Sequence, residues 1–316
     1  MKRALIDQQM KKITVLHNPT AGDEDHFRTE LLQDLQQAGY DPSYFSIKKD
    51  DQWIEAMDQS QMLVIAGGDG TVRRVVGEMI RWDVLRKRPP MALLPMGTAN
   101  NLARSLGIDP EKSQRAHISD WRISSPQRFD LGVIKGHKVT DFFLEGAGVG
   151  LFPALIQRMK TLKKANDPEL SAEESLRLAR EALYKLTENW KAQDYRLETH
   201  QGIREGKFLL IEAMNICSIG PVLELCPDAV TQDGYLDLVC IEEAQREELL
   251  TYIEAKLQGK DLITKWPCIR VKSATLHVDS AQMHIDDRLV DVPYKPLILE
   301  SREHILEFLK MPELSL

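Results

Sequence analysis

MLVIAGGDGT, residues 62–71, starts as an unbroken apolar run and closes on three glycines set around an aspartate. A run without polar alternation is what a strand covered on both faces requires, so Met62–Ala66 predicts a central strand of a parallel sheet. Gly67–Thr71 is then the turn into a helix whose inner face is marked by Val72, Val75, Val76 and Met79. The same unit recurs on either side. Upstream, ITVLH (13–17) leads through NPTAG into a helical face of Phe27, Leu31, Leu32, Leu35 and Ala38, stopped by Gly39 in the C-cap position, and SYFSI (43–47) adds a strand. Downstream, MALLP (91–95) leads through MGT into Leu102, Ala103 and Leu106. Strand-length runs alternating with helical period from Ile13 to Gly107 give an open α/β sheet, and a first domain over residues 1–126.

After Asp120 the rhythm changes. Short strands such as FDLGVIKG, KFLLIEAMNI, GYLDLVCI, TLHVD and QMHIDD follow one another with turn glycines between them, which predicts an antiparallel sheet or sandwich over residues 127–298. A helical insertion at about 151–192 interrupts it, broken near Asn166, Asp167 and Pro168 and restarted by a capping pattern, Ser171 followed by Glu174. Residues 299–316 form a terminal segment expected to pack back on the first domain, with Ile305, Leu306, Phe308 and Leu309 fitting a short helix.

At 316 residues the chain has room for two cores. Lys plus Arg is 41 against 48 Asp plus Glu, a net charge of −7, which lacks the basic excess of a nucleic-acid binder. The N-terminus breaks its apolar residues with Asp7, Gln8 and Gln9, so no export signal is expected. The least polar stretch, Gly146 to Ile156, is too short for a spanning helix, so any membrane contact is expected to be peripheral. Cys217, Cys226, Cys240 and Cys268 show no CxxC pair and no zinc-finger spacing, and are expected to be buried thiols in a reducing compartment.

In an open parallel sheet, ligands gather beyond the carboxyl ends of the strands. Three loops fall at that edge: Asn18–Gly22, Gly67–Thr71 and Met96–Asn100. Gly67, Gly68 and Gly70 remove side chains where N–H groups would approach phosphate oxygens at a helix N-terminus. Asp69 among them would repel phosphate unless Mg²⁺ bridges the two; the alternative is a tight turn with Asp69 capping the helix. Gly97, Thr98 and Asn100 open another helix, where Thr98 either caps or donates to a phosphate. Arg73 and Arg74 reach phosphate or decorate the helix. RWDVLRKRPP reads as a solvated helix end or as a contact for anionic headgroups.

HNPTAG, AGGDGTVRRVV, LLPMGTANNLARSLGI, FLEGAGVG and CPDAVTQDGYLDLV together resemble the bacterial diacylglycerol kinase and related lipid kinase family, which is itself similar to sphingosine kinases and, more distantly, NAD kinases. The resemblance spans nearly the whole chain. It implies an α/β nucleotide-binding domain of the NAD kinase/diacylglycerol kinase-like type, then a β-sandwich domain, with ATP in the cleft between them and a lipid hydroxyl as phosphoryl acceptor. Asn18, Pro19, Thr20, Ala21, Gly22, Gly67, Gly68, Asp69, Gly70, Thr71, Val72, Arg73 and Thr98 would line the ATP site. Asp233, with the carbonyls of Val230 and Tyr235, would hold a structural Mg²⁺, although Asp233-Gly234 also reads as an ordinary hairpin turn. The expected partners are ATP, Mg²⁺ and a membrane lipid met peripherally on the cytoplasmic face, with no nucleic acid; a homodimer is compatible. NAD kinases share GGDGT but carry an Asn-Glu pair in the second motif, and no Asn precedes Glu here.

The chain departs from the family pattern at three places. In HIDDRLV, Asp286 keeps the first position of an Asp-Gly-Glu turn, Asp287 replaces its glycine, and Arg288 stands where the family's glutamate takes the acceptor's proton. Arginine cannot serve as that base. Asn101 replaces an aspartate that many members have, and Glu145 replaces an asparagine. Glu145 therefore either pairs with Arg288 or takes over as base, with Asp130 and Asp287 as competing carboxylates; the plain alternative is a solvent-exposed strand edge. Asp130 in RFDLGV aligns with an aspartate of the family's carboxylate network, and alternation places it opposite Phe129 and Leu131. A family member that binds nucleotide or lipid but has lost turnover is the competing expectation.

Overall fold

The computed structural model describes residues 10–19, 24–48, 51–82, 87–136, 140–165, 170–278, 282–291 and 296–310. In chain order they form β1 (Lys11–His17), α1 (Glu24–Gln37), β2 (Tyr40–Ser46), α2 (Gln52–Asp58), β3 (Met62–Gly67), α3 (Asp69–Ile80), β4 (Met91–Pro95), α4 (Asn101–Ser105) and α5 (Gln114–Asp120). There follow β5 (Ser125–Lys135), β6 (Asp141–Phe143), β7 (Gly146–Gly150), α6 (Leu151–Ala165), α7 (Ala172–Asn189), β8 (Gln193–Thr199) and β9 (Gly202–Met214). The chain continues through β10 (Ser218–Ile219), β11 (Leu223–Glu224), β12 (Leu236–Glu242), α8 (Arg246–Leu257), β13 (Cys268–Val271), β14 (Ser273–Val278), β15 (Gln282–Ile285), β16 (Arg288–Asp291) and β17 (Leu297–Lys310). Packing divides them into two units. One holds the described residues through Met96, Gly107–Gln127 and those from Glu307; the other holds Gly97–Leu106 and Arg128–Leu306. The excursion Gly97–Leu106 belongs with the second unit, a placement that a single boundary at 126/127 does not anticipate.

The first unit is an open α/β fold, its strands ordered β17-β4-β3-β1-β2 and paired in parallel, with Val15 opposite both Tyr44 and Val64, and Ile65 opposite Leu93. Every residue of β3 is buried, which is why its sequence shows no alternation. Val72, Val75, Val76 and Met79 of α3 are buried at helical spacing, and Gly39 ends α1 at φ +87°. A core of Val15, Leu31, Leu35, Val64, Leu94, Ile118, Trp121 and Leu309 fills the unit. The terminal helix expected around Ile305–Leu309 is instead part of strand β17, where Phe308 pairs with Met91. Leu306, Phe308 and Leu309 are all buried, so a two-sided strand mimics a helical apolar spacing, and the free edge of β4 decides between them.

The second unit is the β-sandwich-like domain, with antiparallel neighbours running β16-β15-β7-β9-β8-β14-β17 and β12 lying between β9 and β13. Period-two alternation along β9 sends Ile211 and Ala213 into a core with Phe143, Leu197 and Ile285, and Leu210 and Met214 into another with Phe152, Leu183, Tyr252 and Trp266. The helical insertion comprises α6 and α7, and the capping box forms: the Ser171 hydroxyl accepts the Glu174 N–H at 3.2 Å and the Glu174 carboxylate accepts the Ser171 N–H at 2.9 Å. Among the described residues no helix is long and apolar enough to cross a membrane. Cys226 and Cys240 are buried and Cys217 partly so, but Cys268 is exposed, against the expectation of uniformly buried thiols.

Candidate functional site

In the first unit the carboxyl ends of β1, β3 and β4 are stitched together. The Asn18 N–H donates to the Ala66 carbonyl at 3.0 Å, the Asn18 side-chain amide donates to the Thr71 hydroxyl at 2.9 Å, and the Met96 N–H donates to the Gly67 carbonyl at 3.0 Å. Gly68 is the extended N-cap of α3 and Asp69 its first residue, so the aspartate stands inside the first turn rather than capping it, where the helix dipole favours a negative charge. The chain doubles back so tightly that a Cβ on Gly67 would lie 2.5 Å from the Thr71 hydroxyl. Asn18 Oδ1 is buried and has no hydrogen-bond partner among the described residues. An orphaned acceptor at this rim suits a ribose hydroxyl or a metal-bound water.

The other expected nucleotide residues divide. Thr20, Ala21 and Gly22 lie outside the described residues, and Pro19 uses its carbonyl to accept from Lys48. Val72 buries its side chain in the core, and its N–H bonds the Gly68 carbonyl at 3.2 Å, so it offers a ligand nothing directly. Arg73 is half-buried, whereas Arg74 is an outer-face residue between Asp51, 3.6 Å away, and the Trp53 ring. The exposed Thr98 does not cap α4: the N-cap is Asn100, left-handed at φ 51°, whose side chain closes a ring on Gly97 by accepting its N–H and donating to its carbonyl, both at 2.8 Å.

The second unit gathers polar side chains out of solvent. Asn101 donates to the Glu145 carboxylate at 3.1 Å and to the Gly220 carbonyl at 3.0 Å, and accepts from the Ser218 hydroxyl at 3.2 Å. Two of the departures from the family pattern are therefore in contact: amide and carboxylate have exchanged places, and the pair keeps one negative charge. An aspartate at 101 would instead set two carboxylates against each other. Glu145 is only 8% exposed, not at a solvent-facing edge. Arg288 pairs with Asp141 on the surface, and Asp287 beside it is exposed.

Asp286 fixes the backbone that carries Glu145. Its carboxylate accepts the N–H groups of Leu144, Glu145 and Gly146 at 3.1, 2.9 and 3.3 Å, while its own N–H donates to the Gly146 carbonyl at 2.8 Å. These charge-assisted bonds hold Asp286 at φ 52°, a conformation costly for a residue with a Cβ. Asn215 completes the clamp: its N–H donates to the Glu145 carbonyl at 2.9 Å and its amide to the carbonyls of Leu144 and Asp130 at 3.1 and 2.9 Å.

Behind this layer His284 lies 2.8 Å from the Glu212 carboxylate and 2.9 Å from the Asp286 carbonyl, all within the protein interior. Burial by itself would lower the His284 pKa, but the adjacent Glu212 charge and the two hydrogen bonds outweigh it and hold it above the ordinary value. Burial pushes the Glu212 carboxyl up, and the neighbouring His284 works against that rise. Sequence reasoning passed over Glu212, Asn215 and Ser218. The signal for the first two is a charge and an amide inside the apolar run FLLIEAMNI, and Ser218, two residues beyond it, carries none.

Asp130 spends its carboxylate on backbone donors of the second unit. It is fully buried, and its two carboxylate oxygens accept the N–H groups of Gly234 and His304 at 2.6 and 2.7 Å, which makes it the anchor of the 226–235 segment. Phe129 and Leu131 on either side of it are buried too, so both faces of the strand are covered here. Within that segment Asp233 accepts the Tyr235 N–H at 2.9 Å and pairs with Arg270, while Val230 is exposed.

The sequence profile described as the diacylglycerol kinase catalytic domain matches residues 12–134, and that described as the YegS C-terminal NAD kinase beta sandwich-like domain matches residues 160–290. The chain is 26% identical to the diacylglycerol kinase of Bacillus subtilis over 265 residues, covering 80% of this chain and 81% of that protein. It is 27% identical to the diacylglycerol kinase of Staphylococcus saprophyticus over 273 residues, covering 84% and 83%. Among solved structures, a diacylglycerol kinase from Bacillus anthracis superposes with a TM-score of 0.67 at 16% identity, covering 96% of this chain and 97% of the other. An NAD kinase from Archaeoglobus fulgidus, solved in complex with ATP, gives 0.50 at 13% identity, covering 96% and 94%.

Proposed function

We propose, from the premise that this chain belongs to the family of bacterial diacylglycerol kinases and related lipid kinases, that it transfers the γ-phosphoryl group of ATP to the hydroxyl of a diacylglycerol-like lipid at the inner face of a membrane. The observation that carries this reading is the stitched rim of the first unit, where Asn18, Gly67–Thr71 and Met96 converge on the N-terminus of α3. Glycines there admit phosphate oxygens to the backbone, and the orphaned Asn18 oxygen fits a hydroxyl or hydrated-metal donor. Mg²⁺, when bound, supplies neutralisation of the polyphosphate charge. Asp69 is the carboxylate that would hold it.

The acceptor's proton needs a base, and Glu145 is the candidate we favour over Asp287: it is desolvated, its backbone is locked by Asp286, and the Asn101 amide orients its carboxylate. A structural Mg²⁺ on Asp233 and the carbonyls of Val230 and Tyr235 would require Arg270 to yield one carboxylate oxygen. The reading is tested by transfer of label from γ-labelled ATP to a total membrane lipid extract. The expected outcome is a labelled phospholipid, reduced at least about 100-fold in Asp69→Ala with thermal unfolding unchanged. Label on a soluble product when lipid is omitted would redirect the acceptor assignment.

A second reading, a nucleotide- or lipid-binding member without turnover, is favoured by one observation: Arg288, at the family's glutamate position, is engaged with Asp141. ATP binding with no transfer to any lipid in the extract would select it.

A further inference from the structure

Three ligating groups that the kinase reading does not use meet in the second unit. Cys268 opens β13 opposite Val239 of β12, and Asp237 stands opposite Arg270. Opposed residues of an antiparallel pair share a face, as do residues two apart, so Cys268 and Asp237 project from the same side of the sheet. Cys226 reaches that side from the segment after β11. Its sulfur lies 3.5 Å from that of Cys268, which in turn lies 3.4 Å from the Asp237 carboxylate, and all three ligand atoms fall within 4.8 Å of one another.

These separations are those of a coordination shell. Two thiolates bonded at about 2.3 Å to one tetrahedral ion sit roughly 3.8 Å apart, so the sulfurs need shift only by tenths of an ångström. Cys226 and Asp237 are buried at 6% and 7% exposure while Cys268 is open to solvent, so two of the ligands are shielded and the third is reachable from outside. Arg270, opposite Asp237 on the same face, is paired with Asp233, and its charge also acts on Asp237. Two sulfurs with one oxygen select a borderline-soft metal over Mg²⁺ or Ca²⁺.

We propose that Cys226, Asp237 and Cys268 form a binding site for a thiophilic divalent cation of the Zn²⁺ class, with solvent in the fourth position. On binding, the ion replaces the two thiol protons, which pass to the buffer, and the segment from Cys226 toward Tyr235 becomes tied to the β12–β13 pair.

The test titrates the full, reduced chain with Cd²⁺, and with Zn²⁺ against a chromophoric chelator, in the presence of excess Mg²⁺. Expected are one equivalent bound, a thiolate-to-metal charge-transfer band, loss of the band in both Cys226→Ser and Cys268→Ser, and affinity weakened at least about tenfold in Asp237→Asn. Cys217→Ser retains full binding. Because a serine variant can lose its fold, alkylation of the wild-type chain read by mass spectrometry gives a second measurement: Zn²⁺ protects Cys226 and Cys268 and leaves Cys217 as reactive as before. Persistence of the band in either serine variant, displacement by Mg²⁺, no protection from alkylation, or a reduced chain that takes up no metal while a mild disulfide reagent readily links Cys226 to Cys268 would each overturn the proposal.

Discussion

A methyl group on Gly67 in the first unit would collide with Thr71, and one on Gly148 in the second would collide with the Glu212 carboxylate at 2.2 Å. The two glycines do the same steric work for different reasons. At Gly67 the crowding comes from the same chain four residues later, as the strand turns into the helix. At Gly148 it comes from the residue opposite on β9, far away in sequence. The first unit therefore builds its candidate site from backbone groups that a short motif can specify. The second builds its own from side chains that only pairing across the sheet brings together.

The largest expected effect separates the two kinds of site. Glu145→Gln keeps the shape of the Asn101 contact but removes the proposed base, and turnover in the labelled-ATP assay should fall by about 10²–10⁴ with ATP affinity unchanged. Unchanged turnover would remove Glu145 from the chemistry and leave the second unit's cluster a purely structural one.

Asp286→Asn should follow, costing about 1.5–3 kcal/mol in denaturant unfolding, because an amide returns only one acceptor oxygen to three N–H donors and puts its own donor against the Leu144 N–H. The glycines sharpen the contrast further. Gly148→Ala should destabilise the fold by roughly 1–3 kcal/mol, since its neighbour is a buried carboxylate already bonded to His284. Gly67→Ala should act mainly on nucleotide binding, seen by calorimetry, by pushing Thr71 off Asn18.

The smallest effect is a slope. His284 has a folded pKa above its unfolded value, so its contribution is complete below the ordinary imidazole range and declines as pH rises through the folded value. Chemical denaturation between about pH 6 and 9 should show a fall in stability to which His284 contributes no more than about 1.4 kcal/mol per pH unit, read as the difference in slope between the wild-type chain and His284→Gln.

What the sequence disclosed follows the same division. MLVIAGGDGT announced a central strand, its turn and α3 because burial on both faces and a tight reversal both leave local marks. Helices α2, α5 and α8 were passed over: α2 and α5 are seven residues each, and α8 shows little segregation of apolar from charged side chains, so none carries a strong periodic stripe. Period-two alternation leaves Asp130 open to a cleft or to solvent, because a carboxylate binding N–H groups on two distant segments reads, in one dimension, like any carboxylate in a strand. Asn101 and Glu145 were each visible as departures, but that they compensate one another needed their contact across 44 positions of chain.

Strand β17 begins in the second unit beside β14 and ends in the first beside β4, where Leu309 enters the core. On a ribosome this ordering matters. The first unit's sheet would leave the exit tunnel with β4 bare on one side, its backbone donors and acceptors unsatisfied until the chain had been made as far as Phe308. Nascent chains stalled just before Phe308 should thus be the species most in need of a chaperone.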